Sequence, residues 1–187
     1  MTTRIAALVL AAGLSTRFAG DKLVHPYRGK PLAAHVADAV ATLPVGFRLA
    51  VCPAANPARQ AIFRERGFEI VENGNPGAGL SSSLILGARR ALDLDADALL
   101  VCLADMPHVT AAYLGTLLAA LDSATEIVAS QRGEVRGPPA AFARRALPRL
   151  LALRGDAGAR TLLATAGAVP LPPGLAADFD TRDDFEG

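Results

Sequence analysis

The feature that most restricts how this chain can fold is an abrupt change at residue 11. Residues 5–10, Ile-Ala-Ala-Leu-Val-Leu, form an apolar run of strand length rich in branched residues. Ala11, Ala12 and Gly13 follow at once, then Leu14, Ser15, Thr16, Arg17 and, after a short polar stretch, Lys22. These residues are too small or too polar for a core. Small side chains let backbone N–H groups approach a bulky anion, and Arg17 and Lys22 supply the fixed positive charge nearby. A polyphosphate fits such a loop. Two familiar glycine loops are excluded, because neither G-x-G-x-x-G nor G-x-x-x-x-G-K-[ST] occurs.

The rest of the chain repeats the alternation of short apolar runs with helical periodicity. The spacing predicts a helix over residues 30–43, with Pro31 in its first turn, and a strand over 47–52. Asn56-Pro57 reads as a helix cap followed by proline at the first position; that helix ends at Gly67 before a strand at 68–71. Residues 72–79 hold almost no helix or strand formers. They lead into Ser81-Ser82-Ser83, read as capping a helix that runs to about residue 92. The most hydrophobic run, 97–103, reads as a central strand of a parallel sheet. Beyond it the pattern predicts a helix over 110–121, a strand over 126–130, a polar connection over 131–139, a helix over 142–153 interrupted by Pro148, a further helix over 161–166 and a short strand over 169–171. The expectation is one α/β domain spanning residues 1–187, in three α/β/α layers with a mostly parallel central sheet.

Several function classes fall away on composition. With 19 Lys and Arg against 18 Asp and Glu, a net charge of +1 lacks the basic excess of a sequence-independent nucleic-acid binder. No apolar run reaches the roughly 18 residues of a membrane helix, and the N-terminus lacks a signal-peptide core, so a cytoplasmic protein is expected. Cys52 and Cys102 are too few and too distant for a disulfide framework or a zinc site. None of His25, His35 and His108 has a nucleophile or carboxylate at relay spacing.

In open α/β sheets ligands lie beyond the carboxyl ends of the strands, which puts Asp105 of Ala104-Asp105-Met106-Pro107 at the same rim as the first loop. A carboxylate facing a phosphate site needs a cation between them, and magnesium binds through one or two carboxylates and substrate phosphates. An aspartate before X-Pro is equally read as a turn cap.

The A-A-G-x-S-x-R loop, with Lys22 and Gly29-Lys30-Pro31-Leu32 behind it, resembles the signature of nucleotidyltransferases that activate a phosphorylated acceptor with a nucleoside triphosphate. Within them it is most similar to the molybdenum cofactor cytidylyltransferase and guanylyltransferase branch, the MobA-like family. The resemblance implies a Rossmann-like nucleotide-diphospho-sugar transferase fold. It assigns nucleotide contacts to Leu10, Ala11, Ala12, Gly13, Leu14, Ser15, Arg17 and Lys22, and base contacts to Gly79, Ser82 and Ser83. Leu103 to Pro107 is similar to the family's L-x-D-x-P, whose aspartate holds the metal. Met106 stands where the cytidylyltransferase branch usually carries glutamine. Asp178-Phe179-Asp180-Thr181 resembles the closing D-x-D-T motif, which makes Asp180 a second ligand for Mg2+.

Arg136, in a segment similar to R-G-x-P, and Arg160, closing Gly155-Asp156-Ala157-Gly158-Ala159-Arg160, are implied on the acceptor side. The reaction implied is transfer of a nucleoside monophosphate, CMP from CTP or GMP from GTP, to molybdopterin bearing molybdenum, for delivery to a molybdenum hydroxylase. Arg17, Lys22 and Asp105 carry the catalytic roles. A transferase for sugar phosphates or other phosphorylated metabolites shares the first loop, and a non-catalytic carrier of finished cofactor shares the fold.

Overall fold

The run at residues 5–10 becomes β1 (Ile5–Leu10), and it lies inside the sheet because both of its faces are apolar. Ala7 and Val9 face one side, Ala6, Leu8 and Leu10 the other, and each set joins a separate buried cluster. A computed structural model describes residues 4–14, 18, 20–177 and 179, with the backbone alone at 156–159. Arg17, Ser15 and Asp180 lie outside the described residues.

After β1 the chain forms a two-residue hairpin from β2 (Pro26–Tyr27) and β3 (Lys30–Pro31), then α1 (Leu32–Ala41), β4 (Phe47–Pro53), α2 (Pro57–Arg64) and β5 (Glu69–Asn73). The long helix α3 (Leu80–Asp93) returns across the sheet to β6 (Ala98–Leu103), followed by α4 (Ala111–Ala119), β7 (Ile127–Arg132) and β8 (Val135–Ala143). The short helix α5 (Leu147–Leu151), α6 (Gly155–Ala164) and β9 (Gly167–Pro170) complete the order.

The large sheet runs β5-β4-β1-β6-β8-β7-β9. Every pairing is parallel except those of β8, which is antiparallel to both β6 and β7, so six strands share one direction. Helices α1, α2 and α4 cover one face through Val36, Phe63 and Leu114, and α3, α5 and α6 cover the other through Ala88, Leu147 and Leu162. This is the expected three-layer arrangement. Gly87 lets α3 lie close on β1, since a Cβ there would stand 2.2 Å from Leu8 Cδ2, and Leu8 is fully buried.

Topology fixes the site. From β1 the chain moves outward to β4 and β5, then crosses back to β6 on the other flank of β1. The order reverses between β1 and β6, and ligands of open α/β sheets bind at the carboxyl ends of strands at such a point.

Three expectations are corrected. Residues 135–143, read as a polar connection running into a helix, form β8, because Ala140 to Phe142 are buried against β6 and β7 and leave the helix only from Leu147. The Gly155–Arg160 segment lies within α6 rather than before a helix. The serines do not cap α3; its cap is Gly79, and the serines occupy the first helical turn.

Candidate active site

The loop leaves β1 as an extension of the sheet. Ala11 N–H donates to Val51 O at 2.8 Å, and Ala104 N–H donates to Leu10 O at 3.1 Å. The two ladders hold residues 11 and 104 side by side, so Asp105 begins where the Ala-Ala-Gly loop begins. Ala11 and Ala12 are buried, while Gly13 and Leu14 are exposed. The small residues thus sit where the backbone leaves the core.

Lys22 joins this rim. Its ammonium donates to Asp105 Oδ2 at 2.8 Å and to the carbonyl oxygen of Phe179 at 2.7 Å. The lysine side chain is 12% exposed and that of Asp105 23%, so the pair is sheltered yet open on one side. Three segments, far apart in sequence, meet at one ammonium. Phe179 is fixed there by packing: its ring meets Tyr27 edge-on at 4.6 Å between centroids and His108 at 5.8 Å, and Tyr27 Oη and His108 Nε2 are hydrogen-bonded at 2.8 Å. His35 bonds the Tyr27 carbonyl through Nε2 at 2.9 Å, and burial pushes its pKa down. His35 and His108 brace the hairpin, and His108 ties it to Phe179.

Arg59, which sequence reasoning did not single out, underlies the same loop. It is buried in the first turn of α2. Its Nη1 donates to the carbonyls of Ala11 at 2.8 Å and Gly13 at 2.7 Å, and its Nε donates to Asp21 Oδ2 at 2.6 Å. Asn56, besides capping α2 by accepting from Arg59 N–H, donates to Asp21 from Nδ2. Burial raises the Asp21 pKa, but these donors outweigh it and leave the carboxyl below its ordinary value. The signal available in the sequence was spacing: Arg59 stands four residues before Phe63, on the face that α2 buries.

The second loop is organised by Asn73 at the end of β5. Asn73 Nδ2 donates to Ser82 Oγ at 2.9 Å and Ser83 Oγ at 3.0 Å, and its Oδ1 accepts from Asn75 N–H. Ser82 Oγ donates in turn to Gly79 O. Ser83 is buried and Ser82 half-buried, so Ser83 anchors the turn from behind while Ser82 and Gly79 form its outer side. Gly79 has φ 90° and ψ 177°, a backbone region open in practice only to glycine.

On the other flank of Asp105 a cleft of about 410 Å³ is walled by Leu103, Met106, Val135, Leu171 and Ala176, with Ser130 and Arg132 as its polar members. Met106 is buried with the core. Arg132 Nη1 donates to Ala176 O at 3.2 Å, both residues lining the cleft. Arg136 is directed elsewhere: its Nη1 donates to Ala164 O at the last turn of α6, and it lines a separate cavity with Glu126 and Arg149. Arg160 is exposed on α6. The structure therefore brings Lys22, Asp105 and the 11–14 backbone together, and directs Arg136 to a separate cavity. Among the described residues no three His, Cys, Asp or Glu side chains gather as a metal cluster, and no helix is long and apolar enough to cross a membrane.

Asp105 suits a hard cation. A carboxylate has about four acceptor positions, so Lys22 on Oδ2 leaves the group able to bind a second partner, and oxygen donors of this kind take magnesium or manganese.

Residues 7–169 match the model of the family described as the MobA-like NTP transferase domain. The purine catabolism protein PucB of Bacillus subtilis (strain 168) is 29% identical, over 95% of this chain and 92% of that protein. A probable molybdenum cofactor guanylyltransferase of Pyrococcus horikoshii is 28% identical, over 69% of this chain and 62% of its own length. The bifunctional protein GlmU of Rhizorhabdus wittichii is 34% identical over 63% of this chain, which spans only 26% of GlmU. Among solved structures, Rv0371c of Mycobacterium tuberculosis H37Rv superposes with a TM-score of 0.85 at 25% identity, covering 100% of this chain and 97% of that one. A complex of Rv0371c with manganese gives 0.80 at 26% identity, covering 98% and 97%.

Proposed function

This chain belongs to the MobA-like NTP transferase family, and on that premise we propose that it transfers CMP from CTP to the terminal phosphate of a molybdenum-bearing molybdopterin and releases pyrophosphate. The observation that carries the reading is Lys22, whose ammonium meets Asp105 from β6 and the Phe179 carbonyl from the C-terminal stretch beside the loop that ends β1. A carrier of finished product has no need of a cation and a carboxylate sharing one rim with a phosphate loop.

An oxygen of the acceptor phosphate attacks the α-phosphorus in line; that P–O bond forms as the bond to the β-phosphate's bridging oxygen breaks, and pyrophosphate leaves. Such a reaction asks for placement and charge neutralisation, and no protein nucleophile. The 11–14 backbone holds the phosphates, and Lys22, with Arg17, offsets the charge that grows on the leaving group. Asp105, with Asp180, would hold magnesium, which supplies charge neutralisation at the α-phosphate. Gly79 and Ser82 face the base, held by the bonds of Asn73 to Ser82 and Ser83, and Ser83, expected as a base contact, is buried behind them. The cleft beyond Met106 suits a flat ring system against its apolar walls, with Arg132 toward the acceptor phosphate. Arg136 lines a separate cavity with Glu126 and Arg149, and Arg160, exposed on α6, stands as an acceptor candidate on the resemblance of its motif.

The molybdenum hydroxylase as receiving enzyme rests on the motifs alone, and the molybdopterin acceptor on the motifs and on the Pyrococcus relative, whose name makes GTP the rival donor. The first loop, which resembles that of transferases for sugar phosphates, keeps sugar phosphates among the rival acceptors. The test is pyrophosphate release with each of the four nucleoside triphosphates against molybdenum-molybdopterin and a panel of sugar phosphates. The proposal expects CTP with molybdenum-molybdopterin to lead by at least tenfold. A lead by GTP corrects the base, a lead by a sugar phosphate corrects the acceptor, and tight product binding without pyrophosphate from any pair overturns the transferase reading.

A further inference from the structure

Arg59 is a buried cation for which the chemistry above has no use. A guanidinium taken out of water is costly unless its donors are satisfied, and apolar residues of similar volume often stabilise a fold as well. Its side chain is only 4% exposed, and its bonds run to Ala11 O, Gly13 O and Asp21 Oδ2. Residues 11 and 13 open the phosphate loop, and Asp21 directly precedes Lys22 where the loop closes. One side chain therefore ties both ends of residues 11–22 from beneath.

From this we infer that Arg59 is a positioning residue for the triphosphate, aiming the loop's amides and setting the base from which Lys22 reaches Asp105. A peptide unit is planar and trans, so the N–H of one residue points opposite to the C=O of the residue before it. With the Ala11 and Gly13 carbonyls both drawn onto Nη1, the amides of Ala12 and Leu14 point away from Arg59. Carbonyl oxygens that would repel a phosphate are held inward and neutralised, while the Ala12 and Leu14 N–H groups on the opposite side are left to face an anion. At the far end, Asp21 accepts from Arg59 and Asn56 through Oδ2 and from Leu23 N–H through Oδ1 at 3.1 Å. That bracket fixes the backbone on both sides of Lys22. Lysine lacks the planar fork that lets one arginine hold two carbonyls and a carboxylate at set angles.

The inference rests on the triphosphate lying over this loop, and inorganic tripolyphosphate probes it without regard to base or acceptor. Calorimetric titration with tripolyphosphate is carried out on the wild type, Arg59→Lys, Arg59→Met and Asp21→Asn, with thermal denaturation of each. Folded Arg59 variants are expected to bind tripolyphosphate at least about tenfold more weakly, the equivalent of one charge-assisted hydrogen bond, with Lys failing to restore affinity. Asp21→Asn leaves Arg59 its two carbonyl acceptors and is expected to weaken binding as well; it serves if neither Arg59 variant folds. A folded Arg59→Lys, or an Asp21→Asn, with wild-type affinity overturns the inference. A wild-type protein that does not bind tripolyphosphate overturns the placement of the triphosphate itself, a different failure.

Discussion

Removing the ammonium of Lys22 tests stability and turnover through one contact. Lys22→Ala deletes two short hydrogen bonds, to Asp105 Oδ2 at 2.8 Å and Phe179 O at 2.7 Å. A hydrogen bond to a charged group contributes about 1.5–3 kcal/mol net. Asp105, 23% exposed, recovers part of the loss by hydration, which leaves an expected cost of about 2 kcal/mol. For a chain of 187 residues that lowers Tm by about 4–8 °C. Turnover is expected to fall further, by about a hundred- to a thousandfold, because a preorganised charge near the reacting phosphate is lost. Asp105→Ala is expected to do the same. The decisive quantity is the double variant. If the two groups act as one pair, Lys22→Ala/Asp105→Ala is less destabilised than the sum of the singles by about 1–3 kcal/mol, and its turnover is no worse than that of the poorer single. Urea denaturation and pyrophosphate release measure both. Additive effects on stability and rate together would refute the idea that the site is built on this contact.

Gly79→Ala forces an alanine into φ 90°, ψ 177° and is expected to cost about 1–3 kcal/mol; it also weakens triphosphate binding by shifting the first turn of α3, read by denaturation and titration. Acid stability follows Asp21 and Asp38, whose carboxyls both lie below their ordinary value: burial raises them, and donors from Arg59 and Asn56, or from Lys30 and Arg66, outweigh it. Depressed carboxyls contribute stability fully above the unfolded value of about 4, and lose it as pH falls through the folded values. Asp21→Asn should therefore flatten the loss of stability below pH 4 in a urea series, and an unchanged acid limb would contradict the assignment. Burial pushes the thiols of Cys52 and Cys102 up to about 12, so neither is expected to react with iodoacetamide at pH 8 until the chain is unfolded in urea.

How much of this was legible in the sequence depended on how local its cause was. The strands β1, β4 and β6 and the capped start of α2 follow from runs and caps that lie within a few residues, and Asn56 accepts the expected backbone N–H. The reversed strand β8 was missed because its polar first half, Val135 to Pro139, looks like a loop until β6 and β7 supply partners for it. Lys22 and Asp105 could be named from their loops, but their contact is a product of the β1–β6 ladder, across 83 residues of chain. The serines show the reverse error. Composition suggested caps, whereas Asn73, a residue without a motif of its own, takes both hydroxyls. Arg59 was hidden because a buried arginine is recognisable only once its acceptors, Ala11, Gly13 and Asp21, have been folded over it.

The central claim is that the paired charges at the end of β1 and β6 receive a triphosphate together with its ion. Paramagnetic resonance of manganese, titrated into wild-type protein and Asp105→Ala with and without CTP, tests it most directly. The account predicts a bound signal on the wild type that tightens at least tenfold with the nucleotide and is lost in Asp105→Ala. Equal manganese binding by the two proteins in the presence of nucleotide would contradict it.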